Sequence, residues 1–128
     1  MIHGMVDRPL VFTMEELMRL PSVSRVHYIE CIANAPRPEE KTLDQMHGMI
    51  ACSEWTGVPL SVLLKEAGVR GGANWVLSEG AEATKLGASM PMAKAMDDVL
   101  VAYGQNGEAI RPHNGFPLRL VVPGFQGK

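Results

Sequence analysis

The chain has 128 residues, 46% of them hydrophobic and 20% charged, which suits one folded domain with a sizeable core. Its net charge of −2 and scattered basic residues, at Arg8, Arg19, Arg25, Lys65, Arg70 and Lys94, exclude the basic patch that nucleic-acid binding uses. No apolar run approaches the roughly 20 residues that span a bilayer.

The N-terminal residues Met1-Ile2-His3-Gly4 show neither a basic n-region nor an apolar h-region, so no export signal is read in them. Pro9 to Phe12 follows at once as a short strand. At the other end the chain stops just past another strand, at Gly127-Lys128. Both ends look cut, and the expectation is part of a larger domain. Thr13-Met14-Glu15-Glu16 has capping-box spacing, and the helix it opens should bury Met14, Leu17 and Met18 before Pro21 ends it. Arg25 to Cys31 alternates as a strand and runs into the loop Ile32-Ala33-Asn34-Ala35-Pro36-Arg37-Pro38. Cys31 therefore stands at the carboxyl end of a strand, a common place for ligand sites in mixed α/β sheets.

Met49 to Cys52 offers a further strand. Pro59 begins a helix that Gly68 ends, with Leu60, Leu63, Leu64 and Ala67 as its buried stripe. Asn74 to Ser78 reads as a strand, Pro91 to Met96 as a short helix and Val99 to Tyr103 as a strand. Gln105-Asn106-Gly107-Glu108 is a hairpin turn, because Asn-Gly accepts positive φ. Phe116 to Val122 is the last strand. Short strands mixed with short helices predict an α+β fold built on a mixed sheet.

Few side chains suggest chemistry by themselves. Cys31, taken alone, reads more readily as a small core residue than as a thiolate ligand or reactive thiol. His27, Cys31, His47 and Cys52 would supply a tetrahedral zinc set, although their spacings match no common module. A Cys31–Cys52 disulfide is a third possibility in an oxidising compartment. Glu39-Glu40, Glu54 and Asp97-Asp98 read as solvated carboxylates, and Trp55 and Trp75 as core or rim aromatics. Arg119 is more informative. It sits among Leu118, Leu120, Val121 and Val122, so its cation needs a carboxylate or a bound anion.

Four phrases in one order carry a resemblance. They are Arg25-Val26-His27-Tyr28-Ile29-Glu30-Cys31-Ile32-Ala33-Asn34, Cys52-Ser53-Glu54-Trp55-Thr56-Gly57-Val58-Pro59-Leu60, Ala102-Tyr103-Gly104-Gln105-Asn106-Gly107-Glu108, and Gly115-Phe116-Pro117-Leu118-Arg119-Leu120-Val121-Val122-Pro123-Gly124. Together they resemble the sulfite oxidase family, whose cysteine segment reads Cys-x-Gly-Asn, and their wording is nearest to its sulfane-dehydrogenase branch. The resemblance implies an α+β sulfite-oxidase-type molybdopterin-binding fold, present in part across residues 1–128. It implies a molybdenum–molybdopterin cofactor. Cys31 would be the metal ligand and catalytic residue, Arg119 would grip the pterin phosphate, and Asn34, Glu82 and Asn114 would be further cofactor contacts.

The implied enzyme transfers oxygen to sulfur. Its substrate would be a small sulfur oxyanion such as sulfite, or a protein-bound sulfane, and a c-type cytochrome would accept the electrons. The resemblance also implies a periplasmic location, and dimerisation through a segment outside these residues. This chain departs from the family at several points. Ala33 replaces the motif glycine, which costs about 1 kcal/mol if that position has positive φ. Ala35 and Pro36 replace arginines, Asn114 replaces a histidine and Glu82 replaces an aspartate. Two other readings stand beside the enzyme: a non-catalytic part with weak or no cofactor binding, and a small zinc-binding module.

Overall fold

The structure is a computed structural model, and it describes residues 1–34, 39, 41–46 and 48–127. Helix α1 spans Met14–Arg19 and opens with the expected capping box. The Glu16 amide donates to Thr13 Oγ1 at 3.2 Å, while the Glu16 carboxylate accepts from the Thr13 amide at 2.7 Å. The six-residue helix buries Leu17 against Val58 and Leu63. Met18, expected inside, is 59% exposed, because the short helix turns only a narrow stripe inward.

Strand β1, Val23–Glu30, pairs antiparallel with β2, Ile50–Pro59, and a short helix α2, Leu43–Met46, lies between them in the chain. Strand β2 is much longer than the expected Met49–Cys52. Glu54, Thr56 and Gly57 break its hydrophobic alternation, but both of its edges are paired, with β1 on one side and β5 on the other. Pro59 ends β2 and caps helix α3, Leu60–Ala67, which buries Leu60, Leu63, Leu64 and Ala67 as expected and stops at Gly68 with φ 72°.

Strands β3, Trp75–Glu79, and β4, Gly87–Pro91, form a separate two-stranded sheet. The sequence did not announce β4, whose small and polar residues carry no strand signature. Helix α4, Met92–Ala95, follows, then β5, Leu100–Gln105, and β6, Glu108–Ala109. Asn106 with φ 52° and Gly107 with φ 79° make the hairpin between them. The last strand, β7, is Arg119–Val121, shorter than expected because Pro117 has no amide to donate. The other expected strand, Pro9 to Phe12, is reduced to a single bridge between Leu10 and Ile2.

The main sheet runs β1-β2-β5-β6, with β7 on β5. One face carries Val58, Val101, Tyr103 and Leu118 under α1 and α3. The other carries Trp55, Leu100, Ala102, Ile110 and Val121. Between the two clusters the backbones of β2 and β5 come very close. A Cβ on Gly57 would stand 2.2 Å from the Val101 carbonyl oxygen, at the point where the β2–β5 register shifts. Gly57→Ala should therefore destabilise the fold by about 3 kcal/mol, read as a lower urea midpoint at unchanged slope. A change below about 0.5 kcal/mol would show that the strands can part at little cost.

Candidate cofactor-binding site

Cys31 follows the last residue of β1, and its thiol is free and exposed. Its amide donates to the Met49 carbonyl at 3.1 Å, which continues the β1–β2 ladder by one rung. The chain then turns back: the Asn34 amide donates to the Cys31 carbonyl at 2.9 Å. Asn34 Nδ2 donates to Glu30 Oε1 at 2.8 Å, and Asn34 Oδ1 accepts from the Met49 amide at 3.2 Å. On the outer edge of β1 the Gly127 amide donates to the Glu30 carbonyl at 2.6 Å. Ala33 does not have positive φ, so the cost of replacing a left-handed glycine does not arise. Ala35 and Pro36 lie outside the described residues.

Arg119 opens β7 and faces the same side of the sheet as Trp55. Its guanidinium lies 5.1 Å from the centroid of the Trp55 ring. Nη1 donates to the Asn114 carbonyl at 3.0 Å, and burial holds the guanidinium pKa below its ordinary value. The Asn114 side chain donates to Gln105 Oε1 at 2.8 Å, and Gln105 Nε2 donates to Ser53 Oγ at 2.9 Å. Ser53, 8% exposed, is the one buried polar residue among those described. A polar cavity of about 320 Å³ opens beside this chain of bonds, lined by Gln105, Asn106, Glu108, Arg111 and Asn114. A larger apolar groove, about 500 Å³, lies on the α1 side against Met14, Tyr103 and Phe116, and carries no thiol, imidazole or guanidinium.

The pairing register joins the two ends. Directly opposed residues share a face, and Ser53 opposes His27. Cys31 is four residues beyond His27, so the alternation returns it to that face. Cys52 opposes Tyr28 on the reverse face. That split separates His27 from Cys52 and removes the zinc reading. Among the described residues no three His, Cys, Asp or Glu side chains gather around a metal position, and both cysteines are free. His47 lies outside the described residues.

Glu82 sits in the loop between β3 and β4. Its carboxylate accepts from the Leu86 amide at 2.7 Å and from Thr84 Oγ1 at 3.4 Å. Backbone amides, its own and that of Leu86, hold its pKa below the usual carboxylate value. These contacts close the loop, and none reaches Cys31 or Arg119. His113 is exposed, whereas Asn114 takes the inward place beside Gln105. Sequence reasoning passed over Ser53 and Gln105. Trp55 had read as a core or rim aromatic and Gln105 as part of a turn; the ring contact with Arg119 brings in Trp55, and the hydrogen-bond chain brings in Ser53 and Gln105.

The residues on this face define a class: an α+β domain with an accessible thiol at one end and a desolvated guanidinium at the other. All 128 residues match the family model described as the oxidoreductase molybdopterin binding domain, and the chain belongs to that family. It superposes on a chain of the sulfane dehydrogenase SoxCD from Paracoccus pantotrophus with a TM-score of 0.91 and 47% identity, over 97% of this chain and 33% of that one. It is 41% identical to nitrate reductase [NADH] 1 of Arabidopsis thaliana and 39% identical to the nitrate reductase [NADH] of Volvox carteri, over 98% of this chain in each case. It spans 16% and 17% of the lengths of those two relatives.

The residues fit the family's cofactor. Trp55 Nε1 and His27 Nε2 are buried polar atoms on the Arg119 face with no hydrogen-bond partner among the described residues. Buried donors and acceptors normally find partners, so a polar group laid along this face would complete them. His27 also makes a direct prediction. Desolvation, the largest cause, holds its pKa below the ordinary 6.5, against an opposing pull from Asp98. The unfolded chain therefore takes up this proton first, and stability should fall as the pH drops below 6.5. Melting temperatures at about pH 7.5 and about pH 5.5 should show that fall, and His27→Gln should flatten it. An unchanged slope in the variant would mean that the proton goes elsewhere.

Proposed function

We propose that residues 1–128 are part of a molybdopterin-binding domain in which Cys31 ligates molybdenum and Arg119 holds the pterin phosphate. The whole protein, in this reading, oxidises a sulfur substrate, either sulfite or a protein-bound sulfane. It passes the electrons to a c-type cytochrome in the periplasm. The observation that carries the reading is the 47% identity to a sulfane dehydrogenase chain across 97% of this one.

The bound cofactor would supply two-electron oxygen-atom chemistry, which no side chain of the domain provides. The protein's own part is placement. Cys31 offers a soft anionic sulfur at a fixed strand end, suited to a high-valent metal and to tuning its potential. Arg119 offers a planar guanidinium that can meet a phosphate with two parallel bonds. Trp55 backs that guanidinium, and the Asn114 carbonyl fixes its orientation. Glu82 and Asn114 remain further candidates for cofactor contact. No helix among the described residues is long and apolar enough to cross a membrane.

The nitrate reductases among the relatives favour a second reading, in which the bound cofactor would serve the reduction of nitrate and not the oxidation of a sulfur substrate. Because the chain spans a third of the sulfane dehydrogenase chain, retention of cofactor is the property to measure on these residues, and turnover on the whole protein. Protein made in a cofactor-competent host should carry close to one molybdenum per chain, and Cys31→Ser should lose it. Sulfite- or sulfane-dependent reduction of cytochrome c by the whole protein should disappear with the same substitution. Reduction of nitrate without sulfite oxidation would replace the sulfur reading by the second one. Folded protein free of molybdenum would defeat both, and would leave a non-catalytic domain.

A further inference from the structure

We infer that Asn34 is a positioning residue: its amide takes the place of a backbone rung in the β1–β2 ladder, and so fixes where the chain turns after Cys31. In an antiparallel pair a hydrogen-bonded couple exchanges two bonds. Cys31 and Met49 make only one of them. The Cys31 amide donates to the Met49 carbonyl at 3.1 Å, but the Cys31 carbonyl is taken by the Asn34 amide at 2.9 Å. The Met49 amide would be left without its rung. Asn34 Oδ1 accepts from it at 3.2 Å instead. The strand partner keeps its full set of bonds, while the chain bends away one residue after the thiol.

The other end of the same amide is held as well. Nδ2 donates to Glu30 Oε1 at 2.8 Å, and the Glu30 carbonyl accepts from the Gly127 amide at 2.6 Å. Glu30 and Asn34 thus bracket Cys31 from both sides in the sequence. The position needs an acceptor toward Met49 and a donor toward Glu30 at once, in a side chain short enough to reach both. Asparagine offers both groups on one planar head. Aspartate offers the acceptor, but turns a second carboxylate toward Glu30. Alanine offers neither. Asn34 therefore acts on the site through Cys31, since both ends of its side chain are engaged, one by Glu30 and the other by the Met49 amide.

The clasp concerns this chain's geometry and needs no metal, so its test stands apart from the proposed function and rests on that reading only for its purpose. The test is an exchange of partners. Asn34→Asp alone should loosen the turn. Asn34→Asp combined with Glu30→Gln restores a donor facing an acceptor, with the amide now on residue 30. The readout is the rate at which a neutral maleimide alkylates Cys31, with Cys52 on the opposite face of the sheet as internal reference. Asn34→Asp should change the ratio of the Cys31 and Cys52 rates by about fivefold, on the scale of one ordinary net hydrogen bond. The exchanged pair should return it to within about twofold of the parent.

Should Asn34→Asp fail to fold, Glu30→Ala, which removes only the partner of Nδ2, should shift the ratio in the same sense. The inference is overturned if Asn34→Asp leaves the ratio at the parental value. It is equally overturned if the exchanged pair stays as perturbed as the single variant, or if Glu30→Ala, used in its place, has no effect.

Discussion

The pairing of β1 with β2, in unbroken register from Val23 opposite Gly57 to Glu30 opposite Ile50, is the constraint on which the site depends. Side chains alternate across a sheet with a period of two, so this one register assigns every residue of both strands to a face. It places His27 beside Ser53 and leaves Tyr28 with Cys52 on the reverse side. A slip of one residue would exchange those sets. Cys31 would then face the side opposite Ser53, and the hydrogen-bond chain from Arg119 through Asn114 and Gln105 would end on a face without the thiol. Register is held hardest where one face is buried, and here Trp55, 2% exposed, is the anchor. Its ring packs with Leu100, Ala102, Ile110 and Val121 below and carries the Arg119 guanidinium beside it.

Much of this could be read from the residues, wherever a local rule had no tertiary rival. The capping box at Thr13, the buried stripe of α3 and the Asn106-Gly107 turn follow from short-range chemistry, and each stands where the sequence placed it. The failures fall where tertiary pairing decides. Strand β2 runs straight through Glu54, Thr56 and Gly57 because two neighbours saturate its backbone, a fact invisible in its own side chains. Strand β4 exists because β3 offers it an edge. Pro9 to Phe12 has an apolar composition but finds only Ile2 as a partner.

The site divides in the same way. Cys31 and Arg119 became candidates because whole phrases resembled a family in which they have roles. The chemistry of each residue alone pointed elsewhere, to a core thiol and to an ion pair. Ser53 and Gln105 were not legible at all. A serine in a strand and a glutamine in a turn are ordinary residues, and their part emerges only when the sheet sets them on β2 and β5, between the thiol's strand and the arginine's. Glu82 shows the reverse. Its phrase suggested a cofactor contact, while its hydrogen bonds hold together the loop that carries it.

The spacing of the two chemical ends limits what can bind. Cys31 stands opposite Met49, whereas Arg119 opposes Ala102, which in turn opposes Gly57. Nearly the whole of β2 therefore lies between them. A bare metal ion at the thiol could not also touch the guanidinium, and an inorganic anion at the guanidinium could not reach the thiol. An elongated group with a soft metal at one end and a phosphate at the other answers both demands. It would also lie along the face where Trp55 Nε1 and His27 Nε2 lack partners among the described residues. Such a ligand tolerates little error at either end, because a shift at one is carried along its length to the other. In the proposed reading, that requirement is met by a thiol on the last rung of a ladder, beside a turn that Asn34 fastens, and by a guanidinium half-buried against an indole. Both positions are carried on paired strands, and the pairing of β1, β2, β5 and β7 sets the distance between them.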